Sequence, residues 1–312
     1  MDKNKRKINI YYIFIIILLV VLIGVMTFLT FYTQEKTKEE QIINKDLNKK
    51  FTDINETLKN TKDENTDIVE EINKLNNLKT LTENEKQEVF KLASKLEKEI
   101  LDGKSNYKIA YLTFDDGPYY LTDKYLDVLD KYGVKATFFT IGADKEKCFD
   151  NRNASCSGTY KKIVDRGHTI ANHTYSHAIF YGLYSSKSNF INNVKKQETL
   201  IKNKTGVTTN ILRFPGGSST AGSLKKGIIE ELRKMNYGWV DWTAQDGDGG
   251  DLKNSTQAWN NFVGSINDKI EVVLFHDYNN ITLSILPKAI EYLQNNNYIL
   301  LPLFYDSVMI NK

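Results

Sequence analysis

The stretch Ile109-Ala110-Tyr111-Leu112-Thr113-Phe114-Asp115-Asp116-Gly117-Pro118 decides the fold. An uncharged run rich in β-branched and aromatic residues ends in two carboxylates and a Gly-Pro turn. Its length and composition suit a buried strand, and Gly117-Pro118 stops it. The same grammar repeats downstream. Residues 136–141, 169–171, 211–214, 237–240, 271–275 and 298–301 read as strands. Residues 122–132, 160–166, 189–204, 224–235, 256–266 and 283–295 read as amphipathic helices between them. Strands alternating with helices predict an α/β domain with a parallel sheet. The chemically capable residues fall just after strand ends, where parallel barrels place their active sites.

Four of those strand ends carry chemistry. Asp115 and Asp116 are adjacent, so they point in different directions and suit different roles; an Asp-rich surface turn is the plainer reading of that pair alone. His173 and His177, in Asn172-His173-Thr174-Tyr175-Ser176-His177, are spaced to put two imidazoles about one helical turn apart on one face, with room for one metal ion. They are two of only four histidines. His168 begins a strand at a spacing that fits neither and reads as structural. Arg213 is a fixed cation able to pair with a carboxylate, and Gly216-Gly217 beyond it let backbone N–H groups approach a ligand. His276 closes the fourth strand end. A lone histidine after an apolar run is more often structural, but this one lies at the same rim.

These motifs, taken together and in order, resemble the polysaccharide deacetylase family, also called the NodB homology domain or carbohydrate esterase family 4. The resemblance spans residues 104–312. It rests on Thr113-Phe114-Asp115-Asp116-Gly117, His173-Thr174-Tyr175-Ser176-His177, Arg213-Phe214-Pro215-Gly216 and Leu274-Phe275-His276. It implies a distorted, incomplete parallel (β/α) barrel. It implies a divalent metal, most often zinc and alternatively cobalt, on Asp116, His173 and His177. Asp115 would be the general base, His276 the general acid, and Arg213 the partner of Asp115. Gly216 would offer an oxyanion N–H, and Trp242 and Leu274 would line the substrate site.

Two departures stand out. The third motif has Gly216 where the family usually has a large aromatic. The fourth is a variant, Trp242-Thr243-Ala244-Gln245-Asp246-Gly247-Asp248. Aligned on the family pattern Trp-Asn-x-x-x-Gly-Asp, it makes Asp248 the carboxylate that orients His276. Asp241, in the literal Asp-Trp pair, and Asp246 are the competing claimants.

The rest of the chain supplies context. Of 312 residues, 42 are Lys or Arg and 39 are Asp or Glu; a net charge of +3 gives no footprint for nucleic acid. Residues 8–32 carry no charge and follow Lys3, Lys5, Arg6 and Lys7. That is long enough to span a bilayer and lacks the small-residue cleavage pattern of a signal peptide. The basic flank predicts a cytoplasmic N-terminus and an extracellular remainder. Residues 33–103 show narrow apolar stripes at helical spacing, for example Ile43, Leu47, Phe51 and Ile54. They predict a helical stalk, either a self-associating coiled coil or a hairpin. The catalytic domain is then expected at 104–312. Outside the cell, Cys148 and Cys156 could form a local disulfide, with two unpaired surface thiols as the alternative reading. A tethered enzyme there meets wall glycan first, so N-acetylglucosamine of peptidoglycan is the expected substrate. An exopolysaccharide or chitin is the enzymatic alternative. A catalytically inactive carbohydrate-binding module is the alternative of another class.

Overall fold

The computed structural model describes residues 3–78, 80–142 and 157–312, so the expected Cys148–Cys156 disulfide lies outside the described residues. The chain divides into two compact units, Met1–Asn60 and Thr61–Lys312. Helix α1 (Lys3–Asn76) contributes to both. Within the first unit it carries one stretch, Phe14–Thr57, long and apolar enough to cross a membrane, with none of its most apolar window buried.

The second unit is built on eight strands: β1 (Lys108–Asp115), β2 (Thr137–Thr140), β3 (Thr169–Asn172), β4 (Ile211–Leu212), β5 (Gly238–Trp239), β6 (Ala244–Gln245), β7 (Ile270–His276) and β8 (Tyr298–Leu301). Seven run in the order β5-β4-β3-β2-β1-β7-β6 with parallel pairing throughout. They curl through 206° without closing, the distorted incomplete barrel expected. β8 pairs with the first half of β1, from Lys108 to Tyr111, and β2 with the second, from Thr113 to Asp115. Helices α3 (Thr122–Lys131), α4 (Ser157–Asp165), α5 (Lys187–Thr205), α6 (Lys225–Lys234), α7 (Ser255–Ser265) and α8 (Asn280–Asn295) connect the strands.

The pleat of β1 explains how the sheet is used. Alternate side chains of a strand face opposite sides. Ala110, Leu112 and Phe114 enter the core formed with Tyr125, Leu126 and Leu129 of α3 and Leu286, Ile290 and Leu293 of α8. Ile109 and Tyr111 enter a second core on the concave side. Thr113 and Asp115 continue that inward row toward the mouth, which is how a strand end delivers a carboxylate to the site.

The concave core departs from the expected domain boundary. Ile68, Val69, Ile72 and Leu75 from the end of α1 lie in it. So do Val89, Ala93, Leu96 and Ile100 of α2 (Glu83–Leu101). They share it with Ile109, Tyr111, Phe139, Val272, Ile299 and Leu301. Glu97, buried in α2, accepts from the Tyr111 hydroxyl at 2.6 Å, the Ser307 hydroxyl at 2.6 Å and the Val308 N–H at 3.2 Å. A half-barrel open on one side leaves apolar surface uncovered, and these two helical segments cover it. The packing unit therefore begins at Thr61 rather than at Lys104. The apolar stripes read as stalk are, after residue 67, a face packed on the sheet.

Candidate active site

The C-terminal ends of β1, β3, β4 and β7 deliver Asp115, His173, Arg213 and His276 to one rim. Asp115 ends β1 and stays buried. Arg213, fully buried, donates from Nη1 to Asp115 Oδ1 at 2.9 Å and to Thr113 Oγ1 at 2.7 Å. Its Nη2 donates to the Asp241 carbonyl at 3.2 Å, and its guanidinium lies 4.3 Å from the centre of the Phe139 ring. A buried charge held along its edge and against the Phe139 ring fixes Asp115 Oδ1 and leaves Oδ2 toward the cleft. Burial raises the Asp115 pKa, and the charge and hydrogen bond of Arg213 oppose it.

The next residue turns away. Asp116 has φ +70°, a left-handed conformation that Asp tolerates better than most residues. This swings its carboxylate to His177 Nε2, 3.1 Å from Oδ1, and to His173 Nε2 at 3.6 Å. The two histidines are not on a helix, which corrects the expected one-turn spacing. Thr174 and His177 both have positive φ. The turn is held by Thr174 N–H donating to Asn172 Oδ1 at 2.9 Å and His177 N–H to Thr174 Oγ1 at 3.3 Å. The two rings still converge, with centres 4.9 Å apart.

One ligand atom from each of Asp116, His173 and His177 lies within 4.8 Å of the others, a set able to hold a metal ion. Two further observations test the fit. Asp116 Oδ1 is buried without a hydrogen-bond donor. His173 Nδ1 lies 2.8 Å from the Arg213 carbonyl, which accepts only if Nδ1 carries the proton; Nε2 is then a lone pair facing the cluster. Burial, then the neighbouring His177, pushes the His173 pKa down to about 3, so the ring is neutral. Two imidazoles and a carboxylate with open positions suit zinc.

His276 faces this cluster from β7, with Nε2 4.0 Å from Asp116 Oδ2. Its Nδ1 meets Asp248 Oδ1 at 2.6 Å, and its backbone N–H donates to Asp248 Oδ2 at 2.7 Å. Burial alone would lower its pKa. The hydrogen bond and charge of Asp248, then Asp116 and Asp115, outweigh that and leave it raised to about 9. Asp241 is turned elsewhere: its carboxylate takes the Ser218 N–H at 2.8 Å and the Ser218 hydroxyl at 2.6 Å. Asp246 lies behind Asp248. The Thr282 hydroxyl is 2.7 Å from Asp246 Oδ2 and 2.9 Å from Asp248 Oδ2. One hydroxyl proton cannot serve two carboxylates, so the trio is satisfied when Asp246 is itself protonated and donates. Burial, then repulsion from Asp248, raises Asp246 to about 7, in the same sense. His168 is structural as read: buried, with Nδ1 accepting the Ala136 N–H at 3.1 Å.

A cleft of about 490 Å³ opens over these groups. Gly216, Trp242 and Leu274 line it. Ile179, Gln245 and Tyr278 line it too, and the sequence pointed to none of them. Each belongs to a segment whose position only the tertiary fold defines. Gly249 lies so close to the His276 ring that a Cβ there would sit 3.0 Å from Cε1. Gly216 has φ +73°, and a Cβ there would meet Thr220 Oγ1 at 3.0 Å and Ile179 Cδ1 at 3.2 Å.

The fold and the rim of carboxylates and imidazoles are those of a parallel-barrel hydrolase. The family model for polysaccharide deacetylase matches residues 102–237. The catalytic domain of a peptidoglycan N-acetylglucosamine deacetylase from Eubacterium rectale is 32% identical in sequence, with a TM-score of 0.59 over 66% of this chain and 93% of that one. A peptidoglycan-N-acetylglucosamine deacetylase of Bacillus cereus is 29% identical over 61% of this chain and 67% of its own length. A bifunctional xylanase/deacetylase of Pseudobutyrivibrio xylanivorans is 31% identical over 62% of this chain, and the match spans 29% of that protein. The chain belongs to the polysaccharide deacetylase family.

Proposed function

We propose that this chain removes the acetyl group from N-acetylglucosamine in peptidoglycan by metal-dependent hydrolysis, from the outer face of a membrane. The observation that carries the chemistry is the meeting of two differently held carboxylates, Asp115 and Asp116, with three imidazoles, His173, His177 and His276, around one cleft. Asp116, His173 and His177 would hold the divalent cation. A cation there supplies Lewis acidity toward the acetamide oxygen and toward water.

The remaining work falls to the chain's own groups. Asp115 Oδ2 takes the proton of the attacking water while Arg213 holds Oδ1 and keeps the carboxylate in place. The Gly216 N–H stabilises the oxygen that gains charge. His276 Nε2–H protonates the departing nitrogen, because Asp248 on Nδ1 keeps the ring charged at neutral pH. Water adds to the carbonyl carbon, the C–N bond breaks, and acetate and a free amino sugar leave.

The substrate reading draws on the relatives named as peptidoglycan deacetylases and on the N-terminal apolar helix. That helix would be a single-pass anchor with the basic N-terminus inside the cell. The test is acetate release from purified peptidoglycan and from chitin, by protein stripped with chelator and by protein reloaded with zinc. Zinc-dependent release from peptidoglycan is expected. Release from chitin alone would move the reading to another glycan, and no release from either would leave a binding module.

A further inference from the structure

Two aromatic side chains stand in water beside the cleft. Phe180 and Tyr181 are 91% and 90% exposed, and apart from them the exposed large hydrophobics among the described residues of the compact unit are Leu78, Leu101 and Val308. They occupy a short 3-10 turn, Ile179–Tyr181, two to four residues beyond His177. The first residue of that turn, Ile179, lines the cleft. Successive Cα atoms are about 3.8 Å apart, so the pair begins where the cleft wall ends.

The turn is held at both ends. Leu183 is buried, and its N–H donates to the Ala178 carbonyl at 3.0 Å. Asn189 Nδ2 donates to the carbonyls of Gly182 at 2.5 Å and Leu183 at 3.3 Å. Gly182, in the left-handed region at φ +100°, ends the turn. Exposed aromatics on a fixed turn lose little conformational freedom when something lies down on them. Ile179 Cδ1 lies 3.2 Å from where a Gly216 Cβ would be, so the turn fills the space beside Gly216.

The geometry points to Phe180 and Tyr181 as a stacking subsite for a sugar next to the one being deacetylated. This rests on the glycan reading above and deepens it. A cleft that takes the reacting sugar leaves its neighbours in the chain outside, over the rim. The C–H face of a pyranose ring is apolar and flat, so it matches a flat aromatic surface, while its hydroxyls stay in water. A continuous path from Ile179 to Tyr181 gives a glycan a reason to cross the rim here.

The experiment uses the full-length chain in detergent, loaded with zinc, on N-acetylglucosamine oligomers of two and six units. In Phe180→Ala/Tyr181→Ala, KM for the hexamer should rise about tenfold, the scale of one or two aromatic contacts. kcat should hold, and the preference for hexamer over dimer should shrink by the same factor. Phe180→Tyr/Tyr181→Phe should restore the preference, and Phe180→Leu/Tyr181→Leu should not, because a branched chain is apolar without being flat. Both side chains are exposed, so thermal unfolding should not move. Unchanged hexamer KM in the alanine variant, with the wild type active, would overturn the subsite and leave the enzyme reading intact. A rise in KM that is equal for dimer and hexamer would also overturn it. Vesicle binding lost in the alanine variant while glycan kinetics stay unchanged would assign the pair to a membrane surface instead. A wild type inactive on both oligomers and on peptidoglycan would overturn the enzyme reading, and the subsite with it.

Discussion

Three groups converge on Asp248: the His276 ring, the His276 backbone N–H and the Thr282 hydroxyl. That convergence sets a pH dependence. His276 must be protonated to act as an acid, so activity is present below about 9 and is lost as pH rises through it. Asp248→Asn removes the interaction that raises the pKa, so the alkaline limb of the pH–rate profile should move to lower pH. Bound metal should remain. Asp241→Asn, whose carboxylate serves Ser218, should leave the limb in place; a shift in that variant instead would reverse the assignment. The other pair separates by metal content. Asp116→Ala, His173→Ala and His177→Ala should each lose zinc on metal analysis. Asp115→Asn should keep zinc and lose activity by roughly 10²-fold or more, the scale of general-base catalysis.

At the scale of elements, the compact unit depends on segments that precede the matched family region. A fragment from Lys104 lacks Ile68, Val69, Ile72, Leu75, Val89, Ala93, Leu96 and Ile100, all buried. Their burial is worth on the order of 10 kcal/mol, comparable with the whole stability of an ordinary domain. The fragment 61–312 should unfold cooperatively, and 104–312 should be aggregated or molten by circular dichroism. Glu97→Ala should destabilise 61–312 by about 2–3 kcal/mol, since it leaves the hydroxyls of Tyr111 and Ser307 without their acceptor.

The same elements show what the sequence could carry. β1 and β7 were legible because long apolar runs end in polar residues. β6, only Ala244–Gln245, was not: two residues make no pattern, and it is a strand only because β7 pairs with it. The stripe through α2 gave the helix but not the surface it packs on, since periodicity says which face is apolar and not what covers it. The Asp116, His173 and His177 cluster lies in motifs that the sequence shows, although its turn proved irregular. Thr282 was invisible, because a threonine near a helix start ordinarily serves the backbone and here its hydroxyl bridges the side chains of Asp246 and Asp248.

For the whole molecule, the division into Met1–Asn60 and Thr61–Lys312 separates an apolar helix from the unit that holds the cleft. Full-length chain should pellet with membranes, and removal of residues 1–60 should release it. Protease added to cells with intact membranes but no wall should digest the C-terminal unit if the anchor faces as its basic flank predicts; full protection would place the cleft inside the cell. Deacetylation of peptidoglycan is read directly from the mass of its fragments. Purified peptidoglycan is incubated with zinc-loaded protein, digested to disaccharide peptides and weighed by mass spectrometry. The fragments should be lighter by one acetyl group, with the loss on N-acetylglucosamine, and unchanged with Asp115→Asn. Fully acetylated fragments from metal-loaded, folded protein, or equal loss with Asp115→Asn, would contradict it.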